Sequence, residues 1–160
     1  MLYLVERKKV VIVGIPGVGK TSLVTRIVEL INAEKHCASV HSYGTVMMGE
    51  AEGNQVSDRD NLRHLPVSQQ KDLQKQAATK ISELTDDVVF IDTHAFISTN
   101  EGFYPGLPYH VIQILEPTHL IAISARPEEI YNRRMKDDSR NRDKISIEAI
   151  KKELAVQDAM

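Results

Sequence analysis

Short apolar runs alternate along this chain with longer stretches whose apolar side chains recur every three or four residues. The runs Val10–Val13, Ser39–Ser42, Val88–Ile91 and His119–Ile123 are rich in β-branched residues and predict buried strands, the second having the least apolar character. Leu23, Ile27 and Ile31, joined by Val24 and Val28, line one face of a helix. Leu73, Ala77, Ile81 and Leu84 repeat that spacing in a polar segment after Pro66. Val111, Ile112 and Leu115 predict a short helix opening at Pro108, and Tyr131, Arg134 and Met135 continue another after Pro127. Ile147, Ile150 and Leu154 give an amphipathic helix near the end. Strands alternating with helices imply a doubly wound α/β fold, a parallel sheet with helices on both faces. The stretch from Thr93 to Leu107, with Gly102, Pro105 and Gly106, predicts a long loop, and loops of that length in compact domains usually serve function.

Composition narrows the classes. A length of 160 residues, 42% of them hydrophobic, suits one domain spanning 1–160. Twenty Lys and Arg against twenty-two Asp and Glu give a net charge of −2, so no global positive field draws the chain to nucleic acid or to a membrane surface. Cys37 is the single cysteine, which excludes an internal disulfide and a Cys-rich zinc cluster and fits a reducing, cytoplasmic setting. His36 and His41, with Cys37 between them, match no common metal spacing. The start MLYLVERKK does not have the form of a signal peptide, and no apolar run approaches the ~20 residues of a membrane span.

One motif carries specific chemistry. The first strand runs into Gly14-Ile15-Pro16-Gly17-Val18-Gly19-Lys20-Thr21, the pattern G-x-x-x-x-G-K-[ST], followed by Ser22 and a helix. Glycines let the backbone wrap an anion with its N–H groups inward, and the helix that follows adds its positive end. Lys20 suits the β- and γ-phosphates of a nucleotide, and the Thr21 hydroxyl suits Mg2+. The run Val88–Ile91 ending in Asp92 has the form of a Walker B strand, which brings a carboxylate to the magnesium. Neither the N-K-x-D nor the D-x-x-G element of a guanine switch follows.

Five of nine arginines, Arg126, Arg133, Arg134, Arg140 and Arg142, fall within seventeen residues. The guanidinium fork suits phosphate, and positioned arginines stabilise charge spread over a transferring phosphoryl group. No apolar residue lies between Met135 and Ile145, so a lid over about 135–146 is expected. An acceptor site is expected in a helical insertion over about 43–86, from Tyr43-Gly44-Thr45 after the second strand and from Arg59 and Arg63, four apart on one helix face. The residues leave three readings open: a kinase acting on AMP, a kinase for another nucleoside monophosphate, and a nucleotide-binding protein with little turnover.

The stretches GIPGVGKTS (14–22), YGTVM (43–47), DRDNLRHL (58–65), FIDTHAFISTNEGFYPGLP (90–108) and RRMKDDSRNRD (133–143) resemble the archaeal-type adenylate kinases over essentially the whole chain. That resemblance implies reversible transfer of the γ-phosphoryl group of Mg-ATP to AMP, giving two ADP, in a cytoplasmic and often homotrimeric enzyme. It implies that Gly14 to Ser22 bind ATP, and that Asp92 holds Mg2+ through water beside Thr21. Thr45, Arg59, Arg63 and His94 would face AMP, and Lys20, Arg134, Arg140 and Arg142 would carry catalysis as phosphate clamps. Members of that group usually carry a basic residue where this chain has Ser98, which implies either weaker AMP binding or an AMP phosphate held by Arg59 and Arg63. They also continue into a last helix and strand, whereas four strands are visible in this sequence and none follows its final helix.

Overall fold

The computed structural model describes residues 6–52, 65–99, 102–136 and 146–160. Its centre is a parallel sheet of β1 (Lys8–Val13), β2 (Ala38–Ser42), β3 (Val88–Thr93) and β6 (His119–Ala122) in the order β2-β3-β1-β6. β1 pairs with β3 from Lys8↔Val88 to Val13↔Thr93 and with β6 from Val10↔His119 to Val13↔Ala122. β2 pairs with β3 from Ala38↔Val88 to Ser42↔Asp92. The helices are α1 (Lys20–Ala33), α2 (Tyr43–Glu52), α3 (Val67–Ser82), α4 (Tyr109–Leu115), α5 (Pro127–Met135) and α6 (Ile147–Ala159).

Alternation along β1 assigns its two faces, because successive strand side chains point to opposite sides. Val10 and Ile12 join Val24 of α1 and Phe90 in one apolar cluster, with Ile27, Val28 and Ile31 packed around it. Val11 and Val13 join Val89 and Ile91 in another, closed by Ala77, Ala78 and Ile81 of α3 and Val111 and Leu115 of α4. A third cluster lies beyond the sheet's carboxyl end and contains Ile15, Val18, Phe96, Ile130 and Ile150. Burial of large aliphatic side chains at these positions stabilises by about 2 kcal/mol each. α2 starts directly after β2; its Tyr43 hydroxyl donates to the Gln74 carbonyl of α3 at 2.7 Å, and burial pushes that phenol well up from its usual range.

Two expectations change. The segment expected as a loop over 93–107 contains a hairpin, β4 (Phe96–Thr99) antiparallel to β5 (Gly102–Pro105). Its strands are only four residues long, too short for alternation to announce them, and tertiary packing supplies the rest: Phe96 is buried, edge-to-face with Phe103 at 5.1 Å. The run at His119–Ile123 forms a strand but not a buried one, since all four residues of β6 are exposed, Leu120 at 68%. Among the described residues it pairs only with β1, at the sheet's edge, where an apolar run resembles that of a covered strand. Among the described residues no helix is long and apolar enough to cross a membrane.

At the sheet's amino end, the Cys37 thiol donates to Asp86 Oδ1 at 2.9 Å and the Ser39 hydroxyl to Asp86 Oδ2 at 2.6 Å. The hydrogen bond to this carboxylate, with minor burial and the charges of Asp86 and Asp87, pushes the thiol up from its ordinary value. The thiolate, which is the nucleophile, therefore fills only at higher pH. Alkylation of Cys37 by iodoacetamide is expected to show its pH midpoint above that of a free thiol, and Asp86→Ala is expected to lower it. An unshifted profile in Asp86→Ala contradicts the assignment.

Candidate active site

The crevice beyond the carboxyl ends of β1 and β3 is where open α/β sheets bind ligands, at the point where strand order reverses. Residues 14–19 join β1 to α1 there. Gly17 (φ 89°) and Gly19 (φ 94°) sit in the left-handed region that other residues avoid, and Gly19 caps α1 with no side-chain hydrogen bond. The first-turn N–H groups of this 14-residue helix are left without a side-chain cap, and no acidic residue lies in that turn. The Lys20 side chain is 9% exposed, and its Nζ lies 2.7 Å from Asp92 Oδ1. Thr21 and Ser22 follow with exposed side chains.

β-sheet register brings the other groups to the same rim. Asp92 pairs with Ile12 on one side and Ser42 on the other, so the start of α2, with Thr45, lies one strand away from the phosphate loop. His94, two residues on, places Nδ1 3.1 Å from the Gly14 carbonyl; the hydrogen bond fixes the Nδ1–H tautomer. The structure thus brings the 14–22 loop, Asp92 and His94 together and leaves Thr45 at the start of α2, one strand further along the sheet. Arg59, Arg63, Arg140 and Arg142 lie outside the described residues.

The arginines of α5 divide differently from the sequence expectation. Arg134 was expected on the phosphates, but its side chain is 4% exposed and engaged on three nitrogens. Nε donates to the Pro16 carbonyl at 2.7 Å, while Nη1 and Nη2 donate to the two oxygens of Glu153 at 3.3 and 2.7 Å. Arg133 instead lies at the loop's mouth, largely exposed, with Nη1 donating to the carbonyls of Val18 (2.8 Å) and Gly17 (3.3 Å). The glycines make room for both: a Cβ on Gly17 would lie 3.0 Å from Arg134 Cγ, and one on Gly19 3.3 Å from Arg133 Nη1. Sequence reasoning missed Arg133 and Glu153 in these roles. The available signal was helical spacing, because Arg134 follows buried Ile130 by four and shares its inward face, while Arg133 is turned about 100° away.

The donors present suit Mg2+: the Thr21 hydroxyl and the Asp92 carboxylate are hard oxygen ligands, the kind that completes an ion otherwise held by phosphates and water. Among the described residues no group of three or more His, Cys, Asp and Glu is arranged to hold a metal.

A phosphate loop between a central strand and a helix, with a lysine–aspartate pair at the switch point, defines a P-loop kinase domain. Residues 13–151 match the AAA domain family. The chain is 41% identical over 147 residues to the adenylate kinase of Methanocaldococcus jannaschii, covering 91% of this chain and 77% of that one. It is 39% identical over 145 residues to the adenylate kinase of Sulfurisphaera tokodaii (88% and 75% covered) and 41% identical over 145 to that of Pyrococcus abyssi (89% and 72%). The fold recurs in the crystal structure of APE1195, with a TM-score of 0.54 and 22% identity, covering 98% of this chain and 78% of that one. It recurs again in the structure of the Pnkp1/Rnl/Hen1 RNA repair complex, with a TM-score of 0.57, 15% identity and coverage of 96% and 44%. The chain belongs to the adenylate kinase family.

Proposed function

We propose that this protein transfers the γ-phosphoryl group of Mg-ATP reversibly to AMP, giving two ADP. The observation that carries the reading is the Lys20–Asp92 pair at the mouth of the phosphate loop, in a chain about 40% identical to adenylate kinases over about 90% of its length. An AMP phosphate oxygen attacks the γ-phosphorus in line, the bond from that phosphorus to the β-bridging oxygen breaks, and ADP leaves with the electron pair. The acceptor is already ionised, so no general base is needed, and catalysis consists of positioning and charge neutralisation. Mg2+, when bound, would supply positive charge to offset that of the phosphates. Backbone N–H groups of the loop between Gly14 and Ser22, Pro16 having none, hold the ATP phosphates, Lys20 turns from Asp92 to them, and Thr21 and Asp92 would hold the metal, Asp92 through water.

Arg133, at the loop's mouth, takes the phosphate-facing place that sequence reasoning gave to Arg134. Arg140 and Arg142 in the lid over about 135–146 complete that side. Thr45, Arg59 and Arg63, from the insertion over about 43–86, and His94, just after β3, form the AMP side. A cytoplasmic location and a homotrimeric assembly belong to the same reading.

The deciding measurement is ADP formation from Mg-ATP with AMP, CMP, UMP or GMP as acceptor. AMP is expected to be preferred, and a dinucleotide joining two adenosines through five phosphates is expected to bind with Kd below about 1 μM, since it fills both subsites at once. Preference for another acceptor replaces AMP in this reading. Tight ATP binding without acceptor-dependent ADP formation overturns it.

A further inference from the structure

We propose that Glu153 on the last helix is a positioning residue for ATP, acting through Arg134 to set the shape of the phosphate loop. The inference rests on the loop's binding ATP, as in the reading above. A guanidinium as buried as that of Arg134 requires partners in fixed places. Glu153 takes its two Nη groups on two carboxylate oxygens, an arrangement that fixes the plane of the fork as well as its position. That plane aims Nε at the Pro16 carbonyl, 2.7 Å away. The aliphatic stem of Arg134 lies against Gly17, where an added Cβ would come within 3.0 Å of Cγ. The Pro16–Gly17 part of the loop is therefore gripped from its outer side by one side chain, and Glu153 decides where that side chain stands.

The same stripe of α6 reaches the loop's other end. Ile150, one turn before Glu153, is fully buried with the loop residues Ile15 and Val18 and with Ile130. Gln157, one turn after it, donates Nε2 to the Ile123 carbonyl at 3.2 Å. That carbonyl in turn lies 3.1 Å from where a Cβ on Gly14 would sit. Ile150, Glu153 and Gln157 thus brace both ends of the cradle from one helix face, and none of them needs to touch nucleotide.

The test compares Glu153→Ala, Glu153→Gln, Arg134→Lys and the double variant Arg134→Lys/Glu153→Ala in the full chain. The readouts are Kd for ATP without AMP, the KM of each nucleotide, and the thermal midpoint. Glu153→Ala is expected to weaken ATP about tenfold while the KM for AMP moves by less than about twofold, because a displaced loop misplaces one substrate only. Glu153→Gln keeps one hydrogen bond to Arg134 and is expected to recover most of the affinity. Arg134→Lys keeps the charge but lacks the fork, and is expected to match Glu153→Ala, with the double variant no worse than either. Unchanged ATP affinity in Glu153→Ala overturns the proposal. Tighter ATP binding in that variant also overturns it, because Arg134 would then be held back from the phosphates rather than serving the loop. So does a parallel loss for ATP and AMP that follows the thermal midpoint, which marks a structural role only. If the unaltered chain binds ATP but forms no ADP from AMP, the function proposed above fails while the Kd comparison still decides the role of Glu153.

Discussion

Lys20→Ala is expected to lower turnover by about a thousandfold, roughly 4 kcal/mol of transition-state stabilisation, with the fold retained. In the proposed reading Lys20 is the charge that the loop aims at the phosphates, and its Nζ already stands at the rim, 2.7 Å from Asp92 Oδ1. Losing it removes neutralisation at the transferring group and leaves Asp92 without its counter-ion. The Asp92 side chain is 15% exposed at an open crevice, so water can solvate it and the structural penalty stays well below the cost of orphaning a deeply buried ion. Steady-state ADP formation beside circular dichroism checks both halves. Near-normal turnover would remove Lys20 from the chemistry, and an unfolded variant would show that the ion pair is needed for the fold itself.

Gly106→Ala is expected to destabilise by about 3 kcal/mol, because the space an added methyl needs is already filled by backbone. A Cβ there would lie 2.0 Å from the His94 carbonyl oxygen and 2.9 Å from its carbon. A rotating side chain could yield to such a clash, but a peptide group cannot without moving the chain. Gly106 N–H also donates to the Ala95 carbonyl at 2.8 Å, closing the base of the β4–β5 hairpin, so this contact opens first. Displacing His94 in turn disturbs its hydrogen bond to the Gly14 carbonyl, which links the change to the phosphate loop. The thermal midpoint is expected to fall by roughly 6–12 °C for a chain of this size. An unchanged urea midpoint would mean that the segment relaxes freely and gives the phosphate loop no rigid support.

The parts readable from sequence were those whose cause is local. Glycines at 14, 17 and 19, a lysine and a hydroxyl define the phosphate loop within a few residues, and two of those glycines do take the left-handed backbone that the motif requires. β1 and β3 were readable because a central parallel strand is apolar on both faces. What sequence did not reveal was decided across the chain. The β4–β5 strands owe their order to Phe96 meeting Phe103 and the core around Ile130 and Ile150. The division between Arg133 and Arg134 depends on where α6 places Glu153, nineteen residues beyond Arg134, and no composition argument contains that. The exposure of β6 depends on its place at the sheet's edge, which an apolar run cannot disclose.

The parallel register between β1 and β3 ties the site to the folding of the whole domain. Lys8 pairs with Val88, residues eighty positions apart, and only this pairing brings Lys20 to Asp92. Such long-range contacts close late and at a large cost in chain entropy, so no early local fragment carries the two charges together. Opening the central strands separates the pair and unmakes the sheet in one event. On the proposed reading, a nucleotide seated beside that pair would bind only the folded chain, and its binding energy would add to the global stability of the domain rather than to that of a single loop.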